Sequence, residues 1–142
     1  MGRCAVATAL ALALLPLAAN SQALPNPRWT PGAVSISDAS DVCRPFYGRR
    51  HPRHVSTQLK HRVYVEYFGS YRRGYVIDHL VPREIGGADD FHNLWPQPRT
   101  ESTIKDGIEN RARVEVCFEH RPLADAQRAF MRDWRSAGDW PR

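Results

Sequence analysis

Asp78 and His79 are neighbours, and they close the short apolar run Tyr75-Val76-Ile77. Pro82 and the pair Gly86-Gly87 follow, and Asn93 stands fourteen residues after the histidine, just ahead of Leu94-Trp95-Pro96. These residue types suit hydrolysis of a phosphodiester. That reaction needs a deprotonated water, relief of charge on the phosphoryl oxygens and stabilisation of the departing oxygen. A neutral imidazole supplies the first, because its ordinary pKa lies near neutral pH. A divalent cation supplies the other two. The Asp78 carboxylate is a hard oxygen ligand of the kind Mg²⁺ and Mn²⁺ prefer and Zn²⁺ accepts. An amide such as Asn93 can hold the imidazole in position or pin the loop between them.

For Asp78 and His79 to act on one phosphate, regular strand must end there, since adjacent side chains of a strand face opposite ways. Tyr75-Val76-Ile77 reads as a strand leading into the pair. Pro82 and the two glycines make 80–92 a loop, and Asn93-Leu94-Trp95 forms a short return strand ended by Pro96 and Pro98. Upstream, Ser56 is a good N-cap, Leu59, Val63 and Tyr67 recur every four residues, and Gly69 is a natural stop, which predicts a helix of about three turns. A basic turn, 70–74, joins it to the strand. Downstream, 100–102 offers caps for a second helix with Ile104, Ile108, Ala112 and Val116 on one face, and Thr103 with Asp106 could form a capping box. Gly107 weakens that helix by about 1 kcal/mol relative to alanine. His120-Arg121 ends it, and Pro122 fits the first position of a third helix carrying Leu123, Ala126, Phe130 and Trp134. Trp95, Phe130 and Trp134 sit among apolar neighbours and are expected in the core. The order helix, strand, loop, strand, helix, helix is α+β: a hairpin crossed by a helix, with flanking helices.

The 142 residues allow one small domain. Arg3 precedes an uncharged apolar run from Ala5 to Ala19, and Ser21-Gln22-Ala23 forms an A-x-A-like end. That is the layout of a secretory signal peptide over 1–23, cleaved after Ala23; the run is too short to span a bilayer. The formal charge of +5 falls to +4 once Arg3 leaves with it. Between Arg28 and Arg73 nine Lys or Arg face only Asp38, Asp41 and Glu66. A basic half on an exported chain suits a polyanionic partner, DNA first and RNA next. Arg44, Arg49, Arg50, Arg53, Arg72 and Arg73 are the candidate phosphate contacts, since counterion release needs charge and no particular order. Cys43 and Cys117 are the cysteines left after cleavage, an even count that favours one disulfide in an exported protein. Neither has the close-spaced partner that zinc motifs use. The organisation expected is a leader peptide at 1–23, an extended segment at 24–42, the functional domain at 43–136 and a frayed tail at 137–142.

Three stretches can then be set together: Asp78-His79-Leu80-Val81-Pro82-Arg83-Glu84-Ile85-Gly86-Gly87, Asn93-Leu94-Trp95-Pro96, and Lys105-Asp106-Gly107-Ile108-Glu109-Asn110. They resemble the HNH (ββα-metal) endonuclease family, in particular a secreted bacterial branch, from about Cys43 to Trp134. The resemblance implies a small ββα-metal core in which His79 is the general base, Asp78 a metal ligand and Asn93 the asparagine that fixes the loop, with Cys43 and Cys117 bridged. The chain departs from the family where a histidine or asparagine usually completes the metal site early in the helix. Glu101 stands at the equivalent position and is the first candidate, with Asp106 and Asn110 behind it. Glu84 is a candidate brace for the loop.

The resemblance thus implies a secreted or periplasmic metal-dependent phosphodiesterase cutting DNA with little sequence preference, using Mg²⁺ or Mn²⁺ first and Zn²⁺ or Ni²⁺ as alternatives. The rival expectation is a catalytically impaired module of the same fold that binds nucleic acid or another polyanion. A third is a domain that uses the ion only for stability. No membrane association is expected after cleavage of the leader.

Overall fold

The structure is a computed structural model that describes residues 23–140. The expected leader, Ala23 apart, lies outside the described residues. Two one-turn helices, α1 (Ala39–Val42) and α2 (Tyr47–Arg50), precede α3 (Thr57–Phe68), the hairpin β1 (Tyr75–His79) and β2 (Leu94–Pro98), and the helices α4 (Ser102–Phe118) and α5 (Leu123–Asp133). Among the described residues no helix is long and apolar enough to cross a membrane.

α3 starts and stops where the spacing predicts. The Ser56 hydroxyl accepts the Leu59 N–H at 3.1 Å, and Gly69 ends it at φ 77°, a left-handed backbone that favours glycine. β1 and β2 are antiparallel, with Asp78 opposite Trp95 and His79 opposite Leu94. β2 runs through Pro96 and Pro98, the two prolines expected to end it. The register explains this. Leu80 donates to Asn93 O at 2.7 Å, so by the alternation of an antiparallel ladder Pro96 and Pro98 occupy positions whose missing N–H faces away from β1. The outward carbonyls of β1 are instead taken by side chains: Tyr64 Oη bonds to Tyr75 O at 2.9 Å, Arg53 Nη2 to Ile77 O at 2.9 Å, and Lys105 Nζ to His79 O at 2.7 Å.

β2 divides two apolar clusters by its period of two. Leu94 packs with Val63, Tyr64, Ile77 and Phe91 under α3, while Trp95 packs with Val42, Ile85, Ala112, Phe130 and Trp134 against α4 and α5. Trp95, Phe130 and Trp134 are buried as expected. Cys43 and Cys117 are bridged, with Cα atoms 5.4 Å apart, which ties the end of α1 to α4. Closing a loop of 74 residues removes roughly 4 kcal/mol of unfolded-chain entropy on the loop-closure account.

Several local expectations are corrected. α4 is entered through a 3₁₀ turn (Arg99–Glu101), with Glu101 at the N-cap making no side-chain cap. Its buried face holds Lys105, Glu109, Ala112 and Val116, while Ile104 is exposed. The segment 24–42 is part of the packed domain: Thr30 is buried and bonds to Leu94 O at 2.8 Å, and Val42 lies in the core. Ala137 is buried too, and its carbonyl accepts Arg121 Nη1 at 2.6 Å.

Candidate active site

The loop after β1 folds back tightly. Gly87 N–H donates to Pro82 O at 2.9 Å. A Cβ on Gly87 would stand 1.9 Å from Val81 O, so no other residue fits there. Asn93 holds the fold-back from inside. Its Nδ2 donates to Val81 O and Ala88 O, both at 3.0 Å, and its Oδ1 accepts Val81 N–H at 2.9 Å and Ala33 N–H at 3.3 Å. Asn93 is wholly buried. Of the two tasks read for it from sequence, it performs the pinning.

The imidazole is held by Asp89. His79 Nε2 lies 2.7 Å from Asp89 Oδ1. The other carboxylate oxygen accepts the His54 N–H, and Arg83 Nε stands 3.7 Å from Oδ1. Burial pushes His79 below the ordinary histidine range, partly offset by the bond to Asp89, so the ring is neutral at pH 7. Burial raises the Asp89 carboxyl, but its bonds from His54 and His79 outweigh this and hold it below the carboxylate range. With the carboxylate ionised, Nε2 carries the proton and Nδ1 is the basic nitrogen. Asp89 was missed in the sequence because it is an ordinary loop residue beside Asp90; the one signal for it is a carboxylate ten residues from the histidine within the same loop.

Asp78 is held from behind by Lys105, whose Nζ lies 2.8 Å from Oδ2. The same ammonium donates to His79 O and to Glu109. Lys105 is fully buried while the Asp78 side chain is 26% exposed, so the carboxylate looks outward over its counter-ion. Burial alone would lower Lys105, but Asp78 and Glu109 raise it and keep it charged. Glu109 is pushed up to about 8, chiefly by burial, with Asp78 and Glu84 adding to the rise against Lys105. One cation therefore serves more carboxylates than it can neutralise.

Asp78 and His79 line one cleft of about 180 Å³ together with Arg53, Arg83, Glu84, Asp106 and Glu109. Of the arginines read from sequence, Arg53 reaches this cleft. Arg50 lines a neighbouring cavity of about 450 Å³ that also includes Arg83 and Asp89. Arg49 lies over the exposed Phe46 ring at 5.1 Å, and Arg72 over Phe68 and Tyr75 at 5.0 and 5.5 Å. Arg72 and Arg73 precede the far end of β1, roughly 15 Å from His79 at about 3.3 Å per residue. Arg44 stands apart from both cavities, just after α1. Glu101 does not line this cleft; its carboxylate oxygens accept the Ala23 N–H, at 3.1 and 3.0 Å, a contact that cleavage after Ala23 would remove. The helix residues that do line the cleft are Asp106 and Glu109; α4 itself starts at Ser102, within the stretch where caps were expected.

The donors in the cleft suit a hard divalent cation. Mg²⁺ takes one or two carboxylates and completes its shell with water and substrate phosphate, and Asp78, Glu84, Asp106 and Glu109 offer oxygens of that class. Among the described residues no group of three or more His, Cys, Asp or Glu is arranged to hold a metal ion. Comparison with protein-family models, curated proteins and solved structures returns no match.

Proposed function

We propose that this chain is a secreted or periplasmic, metal-dependent endonuclease of the HNH type that hydrolyses phosphodiester bonds in DNA with little sequence preference, RNA being a further substrate. One observation carries the reading: a neutral imidazole braced by Asp89 and a carboxylate braced by Lys105 line the same cleft as Arg53 and Arg83. Asp78, with Glu84 or Asp106, would hold Mg²⁺ or Mn²⁺. Such an ion, when bound, polarises the phosphoryl oxygens and offsets charge on the departing oxygen. His79 takes a proton from the attacking water through Nδ1, and Asp89 steadies the imidazolium that results. The water oxygen bonds to phosphorus, the bond to the 3′ oxygen breaks, and that oxygen takes a proton from solvent, leaving a 5′-phosphate. Arg53 and Arg83 draw the phosphate in, and contacts of that kind carry no base information. The 1–23 leader and the Cys43–Cys117 bridge support export.

The test is incubation of the purified mature protein with plasmid and with RNA in Mg²⁺, Mn²⁺ or EDTA. Cleavage should require the metal, and His79→Ala should lower it by orders of magnitude with little loss of binding. Intact substrate under every metal condition, or full activity in that variant, sinks the proposal. A second reading, a module that binds nucleic acid or another polyanion without cutting, is favoured by the ammonium of Lys105 already bonded to Asp78. It would show salt-dependent binding unchanged by EDTA.

A further inference from the structure

The cavity of about 450 Å³ beside the cleft shares Arg83 and Asp89 with the chemistry above, while the rest of its wall is not used by it. Arg83 lines both spaces, and the His79–Asp89 pair spans them, with His79 in the cleft and Asp89 in the wall of the cavity. Its size falls in the range of pockets that enclose small organic ligands. Its wall is of two kinds. Arg50, Arg83, His51 and His54 supply cationic and N–H groups, while Ile36, Pro52 and the Tyr47 ring supply apolar surface. Tyr47 and His51 are themselves a ring pair with centroids 4.7 Å apart. The carboxylates near the wall are committed: Asp89 to His79 and His54, and Asp41 to His51 at 3.3 Å. The remaining character is an apolar wall from Ile36, Pro52 and the edge of a Tyr47 ring already packed by His51 and Arg113, with positive charge from Arg50 and Arg83, which can take a base joined to a phosphate.

We propose that this cavity holds one unpaired nucleotide adjacent to the phosphate undergoing cleavage, so that the preferred substrate is single-stranded nucleic acid. The inference rests on the phosphodiesterase reading for its geometry, since Arg83 joins the base-binding space to the reacting phosphate. A base in a duplex is paired and stacked, and it enters such a recess only by being turned out of the helix. An unpaired base enters without that cost. Filling the cavity also presses on His54 and Arg83, the groups that hold Asp89. Occupancy would therefore order the carboxylate that positions His79.

The experiment measures binding in EDTA, where no cleavage occurs. Fluorescence anisotropy of the mature protein with an eight-residue oligothymidylate and with a sixteen-base-pair duplex, at one fixed salt, should give tenfold or tighter binding of the single strand. Arg50→Ala and His54→Ala should each weaken the single strand about fivefold or more and move the duplex by less than twofold. Arg72→Ala, away from the cavity, should leave the ratio unchanged. Thymidine 5′-monophosphate should displace the oligomer at concentrations where inorganic phosphate does not. Equal binding of both forms, an unchanged ratio in both cavity variants, or equal competition by inorganic phosphate overturns the assignment. Circular dichroism identifies a variant that fails to fold, and the other variant then carries the test. A protein that selects single strands but never cuts them retains the cavity and loses the enzymatic reading; one that cuts without strand preference does the reverse.

Discussion

Lys105→Met keeps most of the side-chain volume and removes the ammonium, leaving Asp78, Glu109 and His79 O without their common donor. Removing one partner of a buried ion pair typically costs 3–5 kcal/mol, because the other is left charged and unpaired. Two features place this case near the lower end. Glu109, with its pKa pushed up to about 8, is protonated at pH 7 and sheds its charge. The Asp78 side chain is 26% exposed, so water can take over part of its solvation. The loss should be about 3 kcal/mol, which in a domain of this size lowers Tm by roughly 10–15 °C. Urea unfolding at pH 7 followed by circular dichroism measures it, with the midpoint shifting and the slope constant. A loss below about 1 kcal/mol would refute the view that Lys105 is the counter-ion on which the strand end depends. Lys105→Met with Glu109→Leu should recover part of the loss, since it also removes the buried carboxyl left without its donor, while Asp78 stays unmatched.

The pH dependence of stability has two opposing parts, each fixed by the direction of a shift. Glu109 has a folded pKa near 8, above its ordinary 4.5, so the folded state holds the extra proton and stability falls as pH rises across that interval; Glu109→Gln should flatten that slope in urea titrations. His79 has a folded pKa below its ordinary 6.5, so its contribution is present above 6.5 and lost as pH falls below it; the same shift should extend activity to pH values below 6.5, and an NMR titration of its ring checks both. Asp89→Asn should lower kcat about 10–100-fold with a smaller change in KM, because its main effect is to release the imidazole it holds. Asn93→Ala should cost about 3 kcal/mol or more by chemical unfolding, since it strands buried groups of Val81 and Ala88. Among the described residues neither polar atom of the buried Gln97 side chain has a hydrogen-bond partner, so Gln97→Leu should raise stability by roughly 1 kcal/mol.

Much of the frame was legible because it depends on local rules. Ser56 and Gly69 bound α3 through capping geometry that any helix obeys. Tyr75 to His79 is a strand because its residues favour one and Pro82 stops it. The cysteine pairing followed from an even count and was realised. The failures are where local rules compete with contacts made far along the chain. The two prolines of β2 should end it, but the hairpin register turns their missing N–H groups outward. The i+4 apolar stripe of α4 faces the core at Ala112 and Val116, but Ile104 is exposed and the buried positions of the first turns are Lys105 and Glu109, to which Asp78 and His79 O offer a partner through Lys105.

Residue order alone was enough to bring Asp78, His79 and the loop-pinning Asn93 together, because they sit at adjoining strand ends whose geometry is short-range. It was not enough for the groups that steady them. Asp89 reaches His79 only after the glycine pair has bent the loop back, and Lys105 reaches Asp78 only when α4 crosses the hairpin. Glu101 lost its expected place for the same reason: the turn entering α4 leaves it outside the cleft that Asp106 and Glu109 line. Distances between side chains from separate elements are set by packing, and packing is written in three dimensions before it can be read in one.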